Sequence, residues 1–354
     1  MTDTIPRQPI FSASRRMPFF GLVDRIFNRS PRPNAAPESN FRAFDRLDTL
    51  LANAHRALSD PEARDAAVFE EIVDGLAEVR THAGAQGWIA AVNRVRRHPL
   101  LALMHQEDLM RRAFHAPTGT AGDIVRLAAM DDPTVAPRPP GALTELGVRL
   151  REWLVAGTLM QSLVNRAAIL AHAIDAAARA VPAGAEVLAL QCGVLSEARL
   201  SHAVGAGKLG RLVALDHDFR ATEAVEHAFG RAQINAIHTP TYALLNGAAS
   251  ALGRFDLIYS AALFERLDTR AAAQALAAIY AMLKPGGRIL IANLAPTLPE
   301  AGLLEAVMNW WPIYRGAEAL TDLGGSIARA GGATTRLTLE PTDNIFFLEL
   351  TRPA

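Results

Sequence analysis

Glu186 to Glu197 reads EVLALQCGVLSE, and the fold of the chain turns on how that stretch is read. Val187 to Leu190 is an apolar run of strand length, and the residues after Ser196 have the composition of a helix. A strand, a tight turn and a helix in that order form the place where many α/β proteins hold a nucleotide, and such turns usually carry three glycines. Here Gly193 is the remaining glycine, with Gln191 and Leu195 at the spacing of the other two. The turn reads either as a working ligand loop or as the remnant of one.

Outward from this turn the apolar pattern repeats. Runs at Val187–Leu190, Leu212–Leu215, Ile234–Ile237, Asp256–Ser260 and Arg288–Ala292 alternate with helical stretches after Val181, which predicts a parallel sheet covered on both faces. LKPGGRILIANL fits a helix that ends at a Pro-Gly-Gly turn before the fifth strand. TTRLTLEPTDNIFFLELTR sets two β-rich runs around PTDN, which predicts a hairpin. Five parallel strands closed by an antiparallel hairpin differ from a nicotinamide-binding sheet and predict an α/β, Rossmann-like, seven-stranded one.

Before Val181 the period is helical. Phe44, Leu47, Leu50, Leu51, Ala54 and Leu58 recur at steps of three and four. A second helix is predicted to open with Asp60 as N-cap and Pro61 at its first position, carrying Val68, Phe69, Ile72, Val73, Leu76 and Val79 on one face. Further helices are expected over 99–113 and 142–180, separated by the proline-rich DDPTVAPRPPG. The expected organisation is a disordered tail over 1–39, an all-helical lid or substrate domain over 40–180 and a sheet domain over 181–354. The tail contains SRRMPFFGLVDR, whose apolar segment is broken by Pro18 and ends at Asp24, too short for an export signal. Its hydrophobes are either incidental to a disordered tail or a docking patch for a partner or a membrane surface.

Lysine plus arginine equals aspartate plus glutamate, at 36 each among 354 residues, so there is no basic excess to neutralise a phosphate backbone and nucleic acid is not expected. The lone cysteine, Cys192, excludes an intramolecular disulfide and points to the cytoplasm. No uncharged apolar run approaches the roughly 20 residues of a membrane helix. The histidines are scattered, without a ligand pair, so no metal is expected. There is no nucleophile elbow and no phosphate loop with its lysine. Cys192 reads as a small apolar filler, since no activating histidine follows it closely. VRRH, Val95 to His98, reads as a solvated helix end.

Four stretches carry a family resemblance: HPLL with RRAFHAPTGTAGD, Arg111 to Asp123; VNRAAILA, Val164 to Ala171; FDLIYSAALFERL, Phe255 to Leu267; and LKPGGRILIANLAP with NWWPIYR, Asn309 to Arg315. The C-terminal half resembles the class I S-adenosylmethionine-dependent methyltransferases, and residues 95–354 resemble the branch of extracellular-factor (3-hydroxypalmitic acid methyl ester) biosynthesis proteins. The chain departs from that branch at Gln191 and Leu195, where it has glycine, at Ala116, where it has lysine, and at Thr120, where it has tyrosine. The glycine argument predicts that Gly193→Val removes adenosyl-ligand binding and that Leu195→Gly preserves or strengthens it.

The resemblance implies S-adenosyl-L-methionine as cofactor and a fatty-acid-like carboxylate as the small-molecule acceptor. It implies a cofactor site of Gln191, Cys192, Gly193, Asp216, Tyr242 and Ser260. Asp216 ends the second strand about 20 residues beyond the turn, where a carboxylate accepts ribose hydroxyls or is a plain surface acid. Tyr242 either stacks on the adenine or packs its loop. APTGTAGD is expected over the mouth of the sheet near Gly193, with Thr120 and Asp123 toward the acceptor, or as a helix-capping loop. In NWWPIYR, Trp311 offers an apolar wall, and Tyr314 and Arg315 a hydroxyl and a donor fork for the carboxylate, as candidate catalytic residues. The competing reading is a non-catalytic relative that keeps the fold to bind a partner or a metabolite.

Overall fold

The computed structural model describes residues 37–60, 66–116, 121–129, 143–230, 234–241, 243 and 246–354. The expected tail up to residue 36, the Pro61 helix start, Thr120, the loop after Asp131 and Tyr242 lie outside the described residues. Residues 35–354 form one compact unit.

The strands are β1 (Ala185–Leu190), β2 (Leu209–Asp216), β3 (Asn235–His238), β4 (Phe255–Ser260), β5 (Leu283–Leu294), β6 (Thr334–Leu339) and β7 (Ile345–Thr351). They form one seven-stranded sheet in the order β3-β2-β1-β4-β5-β7-β6. Pairing is parallel from β3 through β5, and β7 runs antiparallel to both β5 and β6. This is the methyltransferase-like Rossmann sheet expected from the sequence. The Pro-Gly-Gly turn differs in detail. Phe255 pairs with Leu283 and Leu257 with Arg288, so residues 284–287 form a bulge inside β5 rather than a turn ahead of it. Gly286 takes φ 72° at that point, a value that suits glycine.

Strand alternation assigns the two faces. Val187, Ala189, Leu212, Ala214, Leu257 and Tyr259 join one buried cluster with the N-terminal helices. Leu188, Leu190, Val213, Leu215, Ile258 and Ile289 join another, together with α12 (Thr269–Ala281) and α14 (Ala317–Gly331). The helical segment and one face of the sheet therefore share a single core.

That segment comprises α1 (Pro37–Ser59), α2 (Ala66–His82), α3 (Gly84–Arg97), α4 (Leu100–Met104), α5 (Asp108–Phe114), α6 (Ala121–Ala129), α7 (Glu145–Ala156) and α8 (Thr158–Ala180). Three features differ from expectation. α1 starts at Pro37, so residues 37–39 belong to a helix; proline suits a first helical turn. The helix expected over 99–113 breaks at Glu107, whose carboxylate accepts the Met110 N–H at 2.7 Å and caps α5. The helix expected over 142–180 breaks at Gly157, where α7 and α8 meet at 47°. Glu300 caps the new end, accepting the Thr158 hydroxyl at 2.7 Å and the Leu159 N–H at 3.1 Å. Among the described residues no single helix is long and apolar enough to cross a membrane. The bent α7–α8 pair passes that test by composition, yet its Leu146, Leu150, Leu163, Leu170 and Ile174 are buried in the core.

After β1 come α9 (Ser196–Leu200) and α10 (His202–Gly205), after β2 α11 (Phe219–Phe229), and after β5 α13 (Ala301–Ala306). Short 3-10 turns cover Ala248–Leu252 and Leu263–Arg266. β1 and β4 are neighbours whose chains leave in opposite directions across the sheet, which makes the crevice at their carboxyl ends the topological switch point.

Candidate functional site

The turn after β1 holds three alternate residues in left-handed conformation: Gln191 at φ 51°, Gly193 at φ 54° and Leu195 at φ 57°. A side chain there costs on the order of 1–2 kcal/mol at each of the two non-glycine positions. The loop thus keeps the backbone shape that glycines ordinarily supply. The two side chains go different ways. Leu195 is fully buried in the core, 0% exposed, while the end of Gln191 reaches into the crevice. A Cβ built on Gly193 meets nothing within 4 Å, so the space above that residue is open.

Asp216 braces this turn from the end of β2. Its carboxylate accepts the Gly193 N–H at 2.8 Å and the Asp218 N–H at 2.8 Å, and is 4% exposed. Cys192 donates its backbone N–H to Leu215 O at 3.1 Å and buries its thiol. Burial, and then the charges of Asp216 and Glu197, push that thiol well above its usual range, as suits a filler and not a nucleophile. Ser260 is buried at the end of β4, its Oγ accepting the Leu263 N–H at 3.0 Å.

Asp123, on the first turn of α6, reaches the same crevice. Its carboxylate accepts from Arg266 Nη2 at 2.6 Å. With its amide oxygen turned inward, Gln191 accepts from the other edge of that guanidinium, Nη1 at 2.5 Å and Nε at 3.2 Å. Arg266 Nη1 also lies 3.4 Å from His217 Nε2, and His217 Nδ1 lies 3.1 Å from Asp216 Oδ1. These contacts fit the tautomer with the proton on Nδ1. A chain of polar side chains, Asp123–Arg266–His217–Asp216 with Gln191 beside it, spans the crevice from α6 to β2. Sequence reasoning missed Arg266, although it lies in the quoted FDLIYSAALFERL just beyond β4.

Behind the end of β4 is a buried polar cluster that was also missed. Arg166 of α8, 4% exposed, donates to Ala261 O at 3.0 Å and lies 3.7 Å from Glu265. Burial raises the Glu197 carboxyl, with a hydrogen bond to its own backbone and the charge of Arg166 opposing the shift. Burial, and then Glu197, push the Tyr259 hydroxyl well above its usual range.

NWWPIYR is built into the packing, which corrects the expectation that it presents a carboxylate holder. Arg315 is 5% exposed and donates to Asn293 Oδ1 at 3.0 Å and to the carbonyls of Phe264 and Leu267. Burial lowers its pKa to about 10, with Glu265 and Asp268 opposing. Its fork is spent on the backbone that follows β4. Tyr314 packs, partly buried, against the same core. Its ring lies under Arg80 at 4.9 Å, and burial, then Glu305, push its hydroxyl well above the usual range. Glu305 is held by Arg80 at 2.9 Å and by Trp88 Nε1 at 2.5 Å.

Trp311 donates its indole N–H to Asn309 Oδ1 at 3.2 Å. The expected solvated end at VRRH is also corrected, because Arg96 reaches back to Asn309 Oδ1 and Glu305 O, each at 2.8 Å. The two distinctive elements of the sequence do meet: a Cβ on Gly122 would lie 2.5 Å from the Trp310 ring, so the indole packs directly on the α6 backbone.

A groove of about 760 Å³ lies elsewhere, at the amino ends of β1 and β2, and is lined by Asp175, Arg179, His202 and Lys208 among others. Among the described residues no cluster of three or more histidine, cysteine, aspartate or glutamate side chains could hold a metal ion.

Residues 188–291 match a family model described as a methyltransferase domain. The match runs from β1 into β5 and takes in the turn, Asp216 and Arg266. No curated protein matches the chain. Among solved structures, a possible exported protein from Bordetella parapertussis is similar at 17% identity over 90% of this chain and 99% of that one, with a TM-score of 0.49. Magnesium protoporphyrin IX methyltransferase from Synechocystis PCC 6803, with bound SAH, is 13% identical over 56% of this chain and 88% of its own, with a TM-score of 0.40. N-methyltransferase NodS from Bradyrhizobium japonicum WM9, in complex with S-adenosyl-L-homocysteine, is 18% identical over 53% and 88%, with a TM-score of 0.38.

Proposed function

We propose that this chain is an S-adenosylmethionine-dependent methyltransferase acting on a small molecule, with the β1–β4 crevice as the site of the adenosyl ligand. The observation that carries the reading is the turn from Gln191 to Leu195, which holds three left-handed residues although two of them have side chains. Strain of that kind persists where the surroundings fix it, and it concentrates at ligand sites.

The residues present fit such a ligand. The space above Gly193 is open. A carboxylate offers about four acceptor sites, and Asp216 gives two to backbone amides and one to His217, which leaves one for a ribose hydroxyl. The bound cofactor would supply an electrophilic methyl on a sulfonium, whose S–C bond pair returns to sulfur as the acceptor–carbon bond forms. The chain's own work is alignment and exclusion of water. Asp216 and the turn orient the adenosyl end, Arg166 fixes the Ala261 carbonyl at the end of β4, and α6 covers the crevice. A fatty-acid-like carboxylate remains our proposed acceptor class by resemblance, and it requires a cation other than Arg315. A cytoplasmic site of action is part of the proposal and rests on the lone cysteine.

A second reading, a non-catalytic relative, is favoured by one observation: the Asp123–Arg266–Gln191 contacts bridge the crevice where the ligand would lie. Calorimetric titration of the full chain with S-adenosylmethionine and S-adenosylhomocysteine separates the two. Binding that Gly193→Val abolishes supports the enzyme reading, and silence at millimolar ligand supports the relative.

A further inference from the structure

Resting on that reading, we propose that Arg266 binds the carboxylate at the amino-acid end of the adenosyl ligand, and that Asp123 occupies its place while the crevice is closed. The topology gives the direction. Asp216 at the end of β2 marks the ribose side, the turn after β1 lies in the middle, and the turn carrying Arg266 follows β4 on the far side. A ligand laid across the switch point from β2 therefore brings its other end to β4, and in this ligand that end carries a carboxylate.

Arg266 has the chemistry to receive it. A guanidinium fork matches a carboxylate bidentately, and a carboxylate is what it holds now. Its pair with Asp123 is partly solvated, with side chains 22% and 26% exposed, so an incoming carboxylate can reach it. The other arginines near β4 are not accessible in this way. Arg166 and Arg315 are 4% and 5% exposed and donate to backbone carbonyls of the turn. Asp123 sits on α6, whose Gly122 backbone carries Trp310. Exchange of one carboxylate for another thus links arrival of the ligand to release of α6 from β4.

The test compares two ligands that differ at that end: S-adenosylhomocysteine, and methylthioadenosine, which lacks the amino-acid group. Both are titrated calorimetrically into the wild-type chain, Arg266→Gln, Arg266→Lys and Asp123→Asn, with urea midpoints confirming that each variant folds. Arg266→Gln is expected to weaken S-adenosylhomocysteine by about 10- to 100-fold, Arg266→Lys by less, and both to leave methylthioadenosine within about twofold. Asp123→Asn removes the internal competitor and is expected to tighten S-adenosylhomocysteine by about five- to tenfold without changing methylthioadenosine. Equal loss of both ligands in Arg266→Gln, or no loss of either, overturns the proposal, as does weaker S-adenosylhomocysteine binding by Asp123→Asn. In those cases methylthioadenosine binding to wild type leaves the adenosyl site standing. Failure of every form to bind either ligand overturns the functional reading and this inference together.

Discussion

Leu195 separates the backbone of the turn from its side chains. It sits at φ 57°, ψ 45°, with a side chain that is 0% exposed in the core shared by the helices and the sheet. Leu195→Ala keeps a Cβ in the left-handed conformation and deletes the rest, so it costs about 2–5 kcal/mol as a large-to-small core change. Leu195→Gly deletes one carbon more but relieves about 1–2 kcal/mol of left-handed strain. The glycine variant is therefore expected to be destabilised by about 2–4 kcal/mol and to be no less stable than the alanine variant, an inversion of the usual order at buried positions. Because the side chain points into the core and not the crevice, Leu195→Gly should preserve S-adenosylhomocysteine affinity and not strengthen it. Urea unfolding of the three proteins reads the stabilities, with equal slopes required for the comparison. A glycine variant as stable as wild type would show that the leucine is not packed as described. One less stable than the alanine variant by more than about 1 kcal/mol would show that residue 195 is not left-handed.

Three other outcomes are expected. Arg315→Met leaves Asn293 and the carbonyls of Phe264 and Leu267 without their donor in the core, and should cost about 2–5 kcal/mol in urea unfolding; loss of ligand binding at unchanged stability would return Arg315 to the site. Gly122→Ala places a carbon 2.5 Å from Trp310 and should cost about 1–3 kcal/mol, part of it recovered in the double variant with Trp310→Leu; additive effects would contradict the contact. Burial raises the Glu197 carboxyl above its ordinary value of 4.5. The folded state therefore holds that proton more tightly, and stability is lost as pH rises from about 4.5 through the raised value. Glu197→Gln removes that loss, so its advantage over wild type should grow between pH 4 and pH 8; an advantage that is flat or shrinks with pH would refute the assignment.

The sheet was legible because apolar runs of strand length and the PTDN turn are local signals, and their succession implied parallel strands closed by an antiparallel hairpin. The breaks at Glu107 and Gly157 were not, since the Gly157 break depends on Glu300, more than 140 positions away in the chain. α3 was overlooked although Trp88, Ala91, Val92 and Val95 keep helical spacing, because glycines and arginines interrupt the pattern. NWWPIYR was misread for a physical reason: aromatic and guanidinium groups serve a packed core and a ligand pocket equally well. What decides between them here is Gly122, Glu305 and the carbonyls after β4, none of them adjacent in sequence. Arg266 was in plain view, but its role depends on β1 and β4 being neighbours, which brings it against Gln191.

The most direct measurement is the crystal structure of the full chain grown with millimolar S-adenosylhomocysteine. The account predicts ligand density across the carboxyl ends of β2, β1 and β4, with a ribose hydroxyl on Asp216, the amino-acid carboxylate on Arg266, and Asp123 withdrawn from it. A crevice still bridged by Asp123, Arg266 and Gln191 at that concentration, or ligand seated in the groove beside Arg179 and Lys208, would contradict it.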